Sequence, residues 1–222
     1  MREVFVSAEA HPQLLAFLRA EGCRVIPVEA GAPAAVYAAV SCHPDIYMCK
    51  LGASPDSPVY MGERRRLAFD YPGNIRYNAV AVGKYFIHNL KYTDTDLLER
   101  VAGFTKIHVK QGYTKCNVAV VDERHVITSD RGIYSALRAA APDLAVLLIA
   151  EGQVLLPGLS CGFLGGACGR VGARMVFNGN LEAHSDFAHI RRFISDAGLE
   201  TVYFKEYPLT DIGSVIERTT AG

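Results

Sequence analysis

The feature that most constrains this chain is a recurrence. Four times an amphipathic stretch meets a stop signal and then a short β-rich run. Residues 12–22, PQLLAFLRAEG, lead into CRVIPV, and 94–103, DTDLLERVAG, lead past Phe104 into TKIHVK. Residues 132–142, GIYSALRAAAP, lead into LAVLLIA, and 185–198, SDFAHIRRFISDAG, lead past Glu200 into TVYFK. Pro12 suits a first helical turn, and Gly22, Gly103 and Gly198 suit the position just past a last one. Asp94 and Ser185 are expected N-caps, because a short side-chain oxygen can accept from the free amides of a first turn.

Between these stretches lie segments that read as β-hairpins, alternating runs separated by turn residues. They are IRYNAVAVGKYFIHN across Gly83-Lys84, CNVAVVDERHVITSD across Asp122-Glu123-Arg124, GACGRVGARMVFNGN across Gly172-Ala173, and the longer HPDIYMCKLGASPDSPVYMG. A fifth hairpin is split between the chain ends: TDIGSVIE supplies one strand and REVFVSA the other, which leads into the first helix. Self-similarity therefore covers nearly all of residues 1–222, and a repeat of this kind points to a single domain of class α/β. The expected architecture is five strand–strand–helix–strand units in a ring closed by the N- and C-terminal segments.

The chain of 222 residues is half hydrophobic, so it can bury a core and carries no signature of disorder. Lys plus Arg and Asp plus Glu are each 23, a balance that gives no strong nucleic-acid signal. No window approaches the roughly 18–20 apolar residues of a membrane span, and MREVFVSAEA lacks the apolar run of a secretory signal. The six cysteines form no CxxC pair and read as free thiols of a reducing compartment, so a cytoplasmic location is expected.

Several segments carry a resemblance. His43-Pro44-Asp45 on the first complete hairpin resembles the HxD of the pentein, or guanidino-group-modifying, superfamily. Gly112-Tyr113-Thr114-Lys115-Cys116 is similar to the glycine-led approach to that superfamily's cysteine, and Thr210-Asp211-Ile212-Gly213 falls where an acid is expected. Strings such as YNAVAVGKYFIHNLKYTD and TDIGSVI are also similar to an uncharacterised bacterial family within it. The resemblance implies a five-bladed α/β propeller of ββαβ units around a narrow channel. It implies a hydrolase or transferase acting on the guanidino group of a small arginine-like molecule, with no metal and no cofactor. Cys116 would be the nucleophile and His43 the acid and base. Asp45 and Asp211 would hold the substrate nitrogens, and Asn78 and Lys110 would line the channel. The alternative is a non-catalytic pentein that binds a ligand or macromolecule, like the ribosome anti-association factor. A homo-oligomer is compatible with either.

Each residue also has a bland reading. Cys116 lies just inside an expected strand, beside Lys115 and near Lys110; a neighbouring cation would lower its pKa, but a strand cysteine is also simply a small hydrophobe. His43 and Asp45, two apart on a strand, would share a face, as any such pair does. Thr-Asp-x-Gly is ordinary turn chemistry. His184-Ser185-Asp186 repeats the HxD spacing but opens a helix, so capping explains it better. Cys42, His43, Asp45 and Cys49 match no common zinc spacing. The glycine-rich run 162–169 lacks the end of a P-loop and reads as close backbone approach. Arg64-Arg65-Arg66 reads as a solvated face, and Lys91 and Tyr92 as surface.

Overall fold

The computed structural model describes residues 1–32 and 34–220. Strand β1 (Arg2–Ser7), helix α1 (Pro12–Ala20) and strand β2 (Arg24–Val28) come first. A short helical turn, α2 (Pro44–Tyr47), runs into the hairpin of β3 (Met48–Lys50) and β4 (Val59–Met61). The next unit is β5 (Val80–Val82), β6 (Tyr85–His88), α3 (Thr95–Arg100) and β7 (Thr105–His108). A second helical turn, α4 (Thr114–Asn117), introduces β8 (Ala119–Val120), β9 (His125–Thr128), α5 (Arg131–Ala140) and β10 (Ala145–Leu148). The last full unit is β11 (Cys168–Val171), β12 (Arg174–Phe177), α6 (Phe187–Asp196) and β13 (Glu200–Val202), and β14 (Ile216–Thr219) follows it.

The described strands form five small sheets. In β5-β6-β7, β8-β9-β10 and β11-β12-β13 the first two strands are an antiparallel hairpin and the third joins the second in parallel. A parallel neighbour needs a crossover, which is why a helix always intervenes there. The split unit is present. β14 pairs antiparallel with β1, Arg2 opposite Thr219 and Phe5 opposite Ile216, and β1 pairs in parallel with β2 across α1.

Each of α1, α3, α5 and α6 is held by one i, i+4 pair, Leu14 and Leu18, Leu97 and Val101 (the residue that caps the end of α3), Ile133 and Leu137, and Ile190 and Ile194, all fully buried. That spacing places both side chains on one helical face. Each pair packs on its own sheet and on a strand of a neighbouring one; Ile190 and Ile194 sit with Met175 and Phe177 but also with Ile127. Burial of such a pair contributes about 3–6 kcal/mol, an upper figure that takes an extended chain as reference.

Three expectations need correction. The sheet β3-β4 has two strands, with no helix or third strand of its own among the described residues, so the repeat is four ββαβ units and one hairpin. Leu51 instead bridges in parallel to Ala81 of the next sheet. Asp94 caps α3 through Asp96 N and Leu97 N as expected, but Ser185 does not cap α6. Its hydroxyl accepts from Gln153, and the Asp186 amide donates to His184 Nδ1. The third correction concerns His43-Pro44-Asp45 and Cys116, which lie on helical turns rather than strands. Pro44 occupies the first position of α2, where its fixed φ fits and its missing N–H costs nothing, and it holds His43 extended at ψ 119°. Among the described residues no helix is long and apolar enough to cross a membrane.

Candidate active site

The two helical turns present their side chains to each other. Cys116 donates its thiol proton to Asp45 Oδ2 at 3.1 Å. The reason lies partly in Asn78, a buried residue two positions before β5. Its Oδ1 accepts from Lys115 N at 2.8 Å and from Cys116 N at 3.2 Å, amides at the start of α4, and Lys115 N also donates to the Asn78 carbonyl at 3.1 Å. Its Nδ2 donates to Asp45 O and to Cys116 Sγ, each at 3.3 Å. One amide side chain thus ties α2 to α4.

Asp211 comes from the segment before β14. Its Oδ1 accepts from Gly213 N and its Oδ2 from Phe163 N, each at 2.9 Å. The glycine-rich run makes room for it. A Cβ on Gly166 would lie 2.0 Å from Asp211 Oδ1, and one on Gly162 would lie 2.5 Å from its Cβ. Gly213, at φ +71°, lies so close to His43 that a side chain there would clash at 2.1 Å. The sequence reading of this run as close backbone approach therefore holds.

Ser214 and Lys115 complete the cluster, and nothing in the sequence pattern singled them out as a pair. Ser214 has φ 77°, in the left-handed region that glycine favours. Its hydroxyl lies 2.7 Å from Asp45 Oδ2 and 2.9 Å from Gly165 O. Lys115 Nζ donates to that hydroxyl at 2.9 Å and to Gly165 O at 3.1 Å. Strain of this kind, held by surrounding contacts, collects at functional sites.

Cys116, His43 and Asp211 line one cavity of about 250 Å³, walled by Tyr37, Tyr113, Leu156, Leu159 and Phe163. One donor atom from each of the three lies within 4.8 Å of the others. Asp45 and Asn78 sit behind Cys116 and are not among the lining residues. Lys110 is elsewhere: its side chain is exposed, and its carbonyl accepts from Asn89. Lys91 and Tyr92 are at the surface, and the arginine run is exposed at Arg64 and Arg65, with Arg66 paired to Asp94 and Asp96.

The electrostatics reverse one expectation. Burial, then the charges of Asp45 and Asp211, hold the Cys116 thiol well above the ordinary thiol range. The cation expected to lower it does not prevail. Lys115 spends its hydrogen bonds on Ser214 and Gly165, and Lys110 is remote. Burial also raises Asp45, against the pull of His43 and Lys115. Asp211 is pushed up to about 6 by burial, with the Gly213 and Phe163 amides resisting. Burial lowers His43, so its 3.8 Å approach to Asp211 Oδ1 is a contact of a neutral ring rather than an ion pair. His43 Nδ1 and Asp45 Oδ1 are both buried with no hydrogen-bond partner, and His43, which lines the cavity, has unmet capacity that a bound polar group would fill.

The nitrogen, sulfur and oxygen donors of His43, Cys116 and Asp211 are also types that one zinc ion accepts, a set different from the Cys42, His43, Asp45 and Cys49 group weighed in the sequence. Cys49 instead donates to the carbonyl of Ala79.

Residues 5–216 match a family described as "Family of unknown function (DUF6873)". The chain belongs to that family. Two solved structures resemble this DUF6873 chain. One is a DDAH from Pseudomonas aeruginosa, solved as a mutant complexed with citrulline: TM-score 0.47, 12% identity, 91% of each chain covered. The other is a dimethylarginine dimethylaminohydrolase adduct with 4-chloro-2-hydroxymethylpyridine: TM-score 0.45, 12% identity, 91% of this chain and 92% of that one. No curated protein matches the chain in sequence.

Proposed function

We propose that the chain is a cytoplasmic, single-domain pentein propeller acting as a cysteine-dependent hydrolase or transferase on a guanidino or amidino group. The observation that carries this reading is the convergence of Cys116, His43 and Asp211 on the floor of one largely apolar cavity, with Asp45 behind the sulfur. The four ββαβ sheets and one hairpin, with β14 and β1 bringing the chain ends together, support the five-bladed ring. The six free cysteines support a reducing compartment.

A guanidinium cation would enter a site that holds two carboxylates and a neutral thiol. Its charge opposes what raises the Cys116 pKa, so binding favours the thiolate. Asp211 would hold substrate N–H groups by charge-assisted bonds, and Asp45 would assist from beneath. The thiol proton passes to His43, and the sulfur attacks the guanidinium carbon. The imidazolium returns that proton to the departing amine as the carbon–nitrogen bond breaks. His43 then takes a proton from water, whose oxygen adds to the carbon. The carbon–sulfur bond breaks to release a ureido product, and the imidazolium returns its proton to the departing sulfur. The hydroxyl proton of the collapsing intermediate passes to solvent, where the released amine takes it up. With an amine in place of water the same sequence is an amidino transfer.

The test is a ureido colour assay over a panel of guanidino compounds, comparing wild type with Cys116→Ser. Turnover by wild type, lost in the variant while thermal unfolding is unchanged, supports the proposal. A wild type inert on the panel, with no Cys116 adduct from a haloacetamidine probe, favours the non-catalytic binding pentein. Stoichiometric zinc in the purified protein would favour a metal centre built from the same three donors.

A further inference from the structure

In the guanidino reading the floor of the cavity would take one end of the substrate, and the mouth bears on the other. The cavity over Cys116 opens into a second hollow of about 470 Å³, which shares Tyr37, His43, Leu156, Leu159 and Asp211 with it. Tyr37, Ala38, Ala39, Pro157 and Ile212 make its walls mainly apolar. Among the described residues that line either space, the carboxylates are Glu9 and Asp211, and none is an arginine or a lysine. Glu9 is exposed, forms no salt bridge among the described residues, and is close enough for its charge to be felt at His43.

From this we infer that the substrate is a guanidinium or amidinium compound on a short apolar body whose far end is an amine or uncharged, and not a free amino acid. The inference rests on the guanidino reading above and adds the identity of the tail. An amino acid bound with its guanidinium at Cys116 would carry its α-carboxylate toward the outer hollow. There the α-ammonium beside it can face Glu9, but the carboxylate itself meets Glu9 and no cation, an unpaired like-charge placement that selects against it. An amine would face Glu9 favourably, though weakly, because Glu9 is open to water. A neutral tail would meet Leu156, Leu159 and Pro157. Glu9 is therefore the residue that sets specificity, by exclusion more than by attraction.

Calorimetric titration of Cys116→Ser, which cannot form the covalent intermediate, with L-arginine, its methyl ester and butylguanidinium tests this. The ester lacks the carboxylate charge of arginine and keeps its side chain, and titration at about pH 6 keeps the α-amine of both protonated. The expected result is that ester and butylguanidinium bind at least about tenfold more tightly than arginine. In Cys116→Ser carrying Glu9→Arg, arginine should gain and butylguanidinium should stay within about twofold. Glu9 is exposed, so unchanged thermal unfolding will show that the second variant is folded. Arginine binding as tightly as its ester, or unmoved by Glu9→Arg, overturns the tail assignment and leaves the guanidino reading standing. Failure of all three compounds to bind overturns the guanidino reading, and the tail assignment with it.

Discussion

The Cys116 thiol donates to Asp45 Oδ2 across 3.1 Å, and neither residue is more than 2% exposed. A thiol in that position resists ionisation, because the thiolate would lose solvation and stand against a carboxylate. The pair therefore describes a resting site, and it makes the nucleophile conditional on something that brings positive charge.

Reactivity should follow. In the free protein, site-resolved iodoacetamide labelling of Cys116 at pH 7–8 should be slower than that of the partly exposed Cys161. It should climb with pH instead of reaching a plateau near neutrality. Asp45→Asn keeps the shape and removes a charge that raises the thiol pKa. The thiolate fraction, and with it the labelling rate, should rise by about tenfold for each pKa unit recovered. Fast labelling of the wild type near pH 7 would contradict this electrostatic account.

Burial pushes the Asp211 carboxyl up to about 6, above the ordinary aspartate value of about 3.9. Its raised pKa means that the native state binds more protons than the unfolded one between these values. Its contribution is thus fully present below about pH 4 and is lost as pH rises through 6, a fall of up to ~3 kcal/mol. Urea unfolding of wild type and Asp211→Asn from pH 4.5 to 7 should show the variant losing less stability over that window. Parallel pH profiles would sink the assignment.

Ser214 separates backbone strain from hydrogen bonding. Both Ser214→Gly and Ser214→Ala lose the hydroxyl that contacts Asp45 and Lys115. Only glycine relaxes φ 77°. Ser214→Gly should therefore be more stable than Ser214→Ala by about 1 kcal/mol, read from urea midpoints.

Gly166 is a steric prediction. A methyl group there would stand 2.0 Å from Asp211 Oδ1, so Gly166→Ala should cost about 1–3 kcal/mol and displace the carboxylate. Gly103, where an added Cβ would meet nothing within 4 Å, provides the control. Gly103→Ala should stay within about 0.5 kcal/mol of wild type. Denaturation of the two variants side by side checks both, and equal costs would mean that Asp211 is not seated as described.

Local chemistry in the sequence determined the repeat. Four i, i+4 apolar pairs on short helices, with Asp94 at a cap and Gly22 and Gly198 in left-handed conformations past two helix ends, fix four helices before any tertiary contact is considered. Alternation across Gly83-Lys84 and Gly172-Ala173 does the same for two hairpins, and the complementary half-hairpins at the chain ends made the β14-β1 pairing legible. Cys116, His43 and Asp211 were nameable because their residue types carry chemistry wherever they stand.

Only the tertiary structure decided how those residues act. Whether Cys116 is activated by Lys115 or silenced by Asp45 depends on distances between segments 71 residues apart in sequence, and the burial that decides the pKa belongs to the whole packed core. Ser214 shows no one-dimensional signal, since its role arises from a positive φ and from carbonyls and charges supplied by other units. Lys110, close to Cys116 along the chain, is separated from it by the bend at Gly112 and ends in solvent. Periodicity is a property of neighbours in sequence and survives in the string; electrostatics at a buried site is a property of neighbours in space and does not.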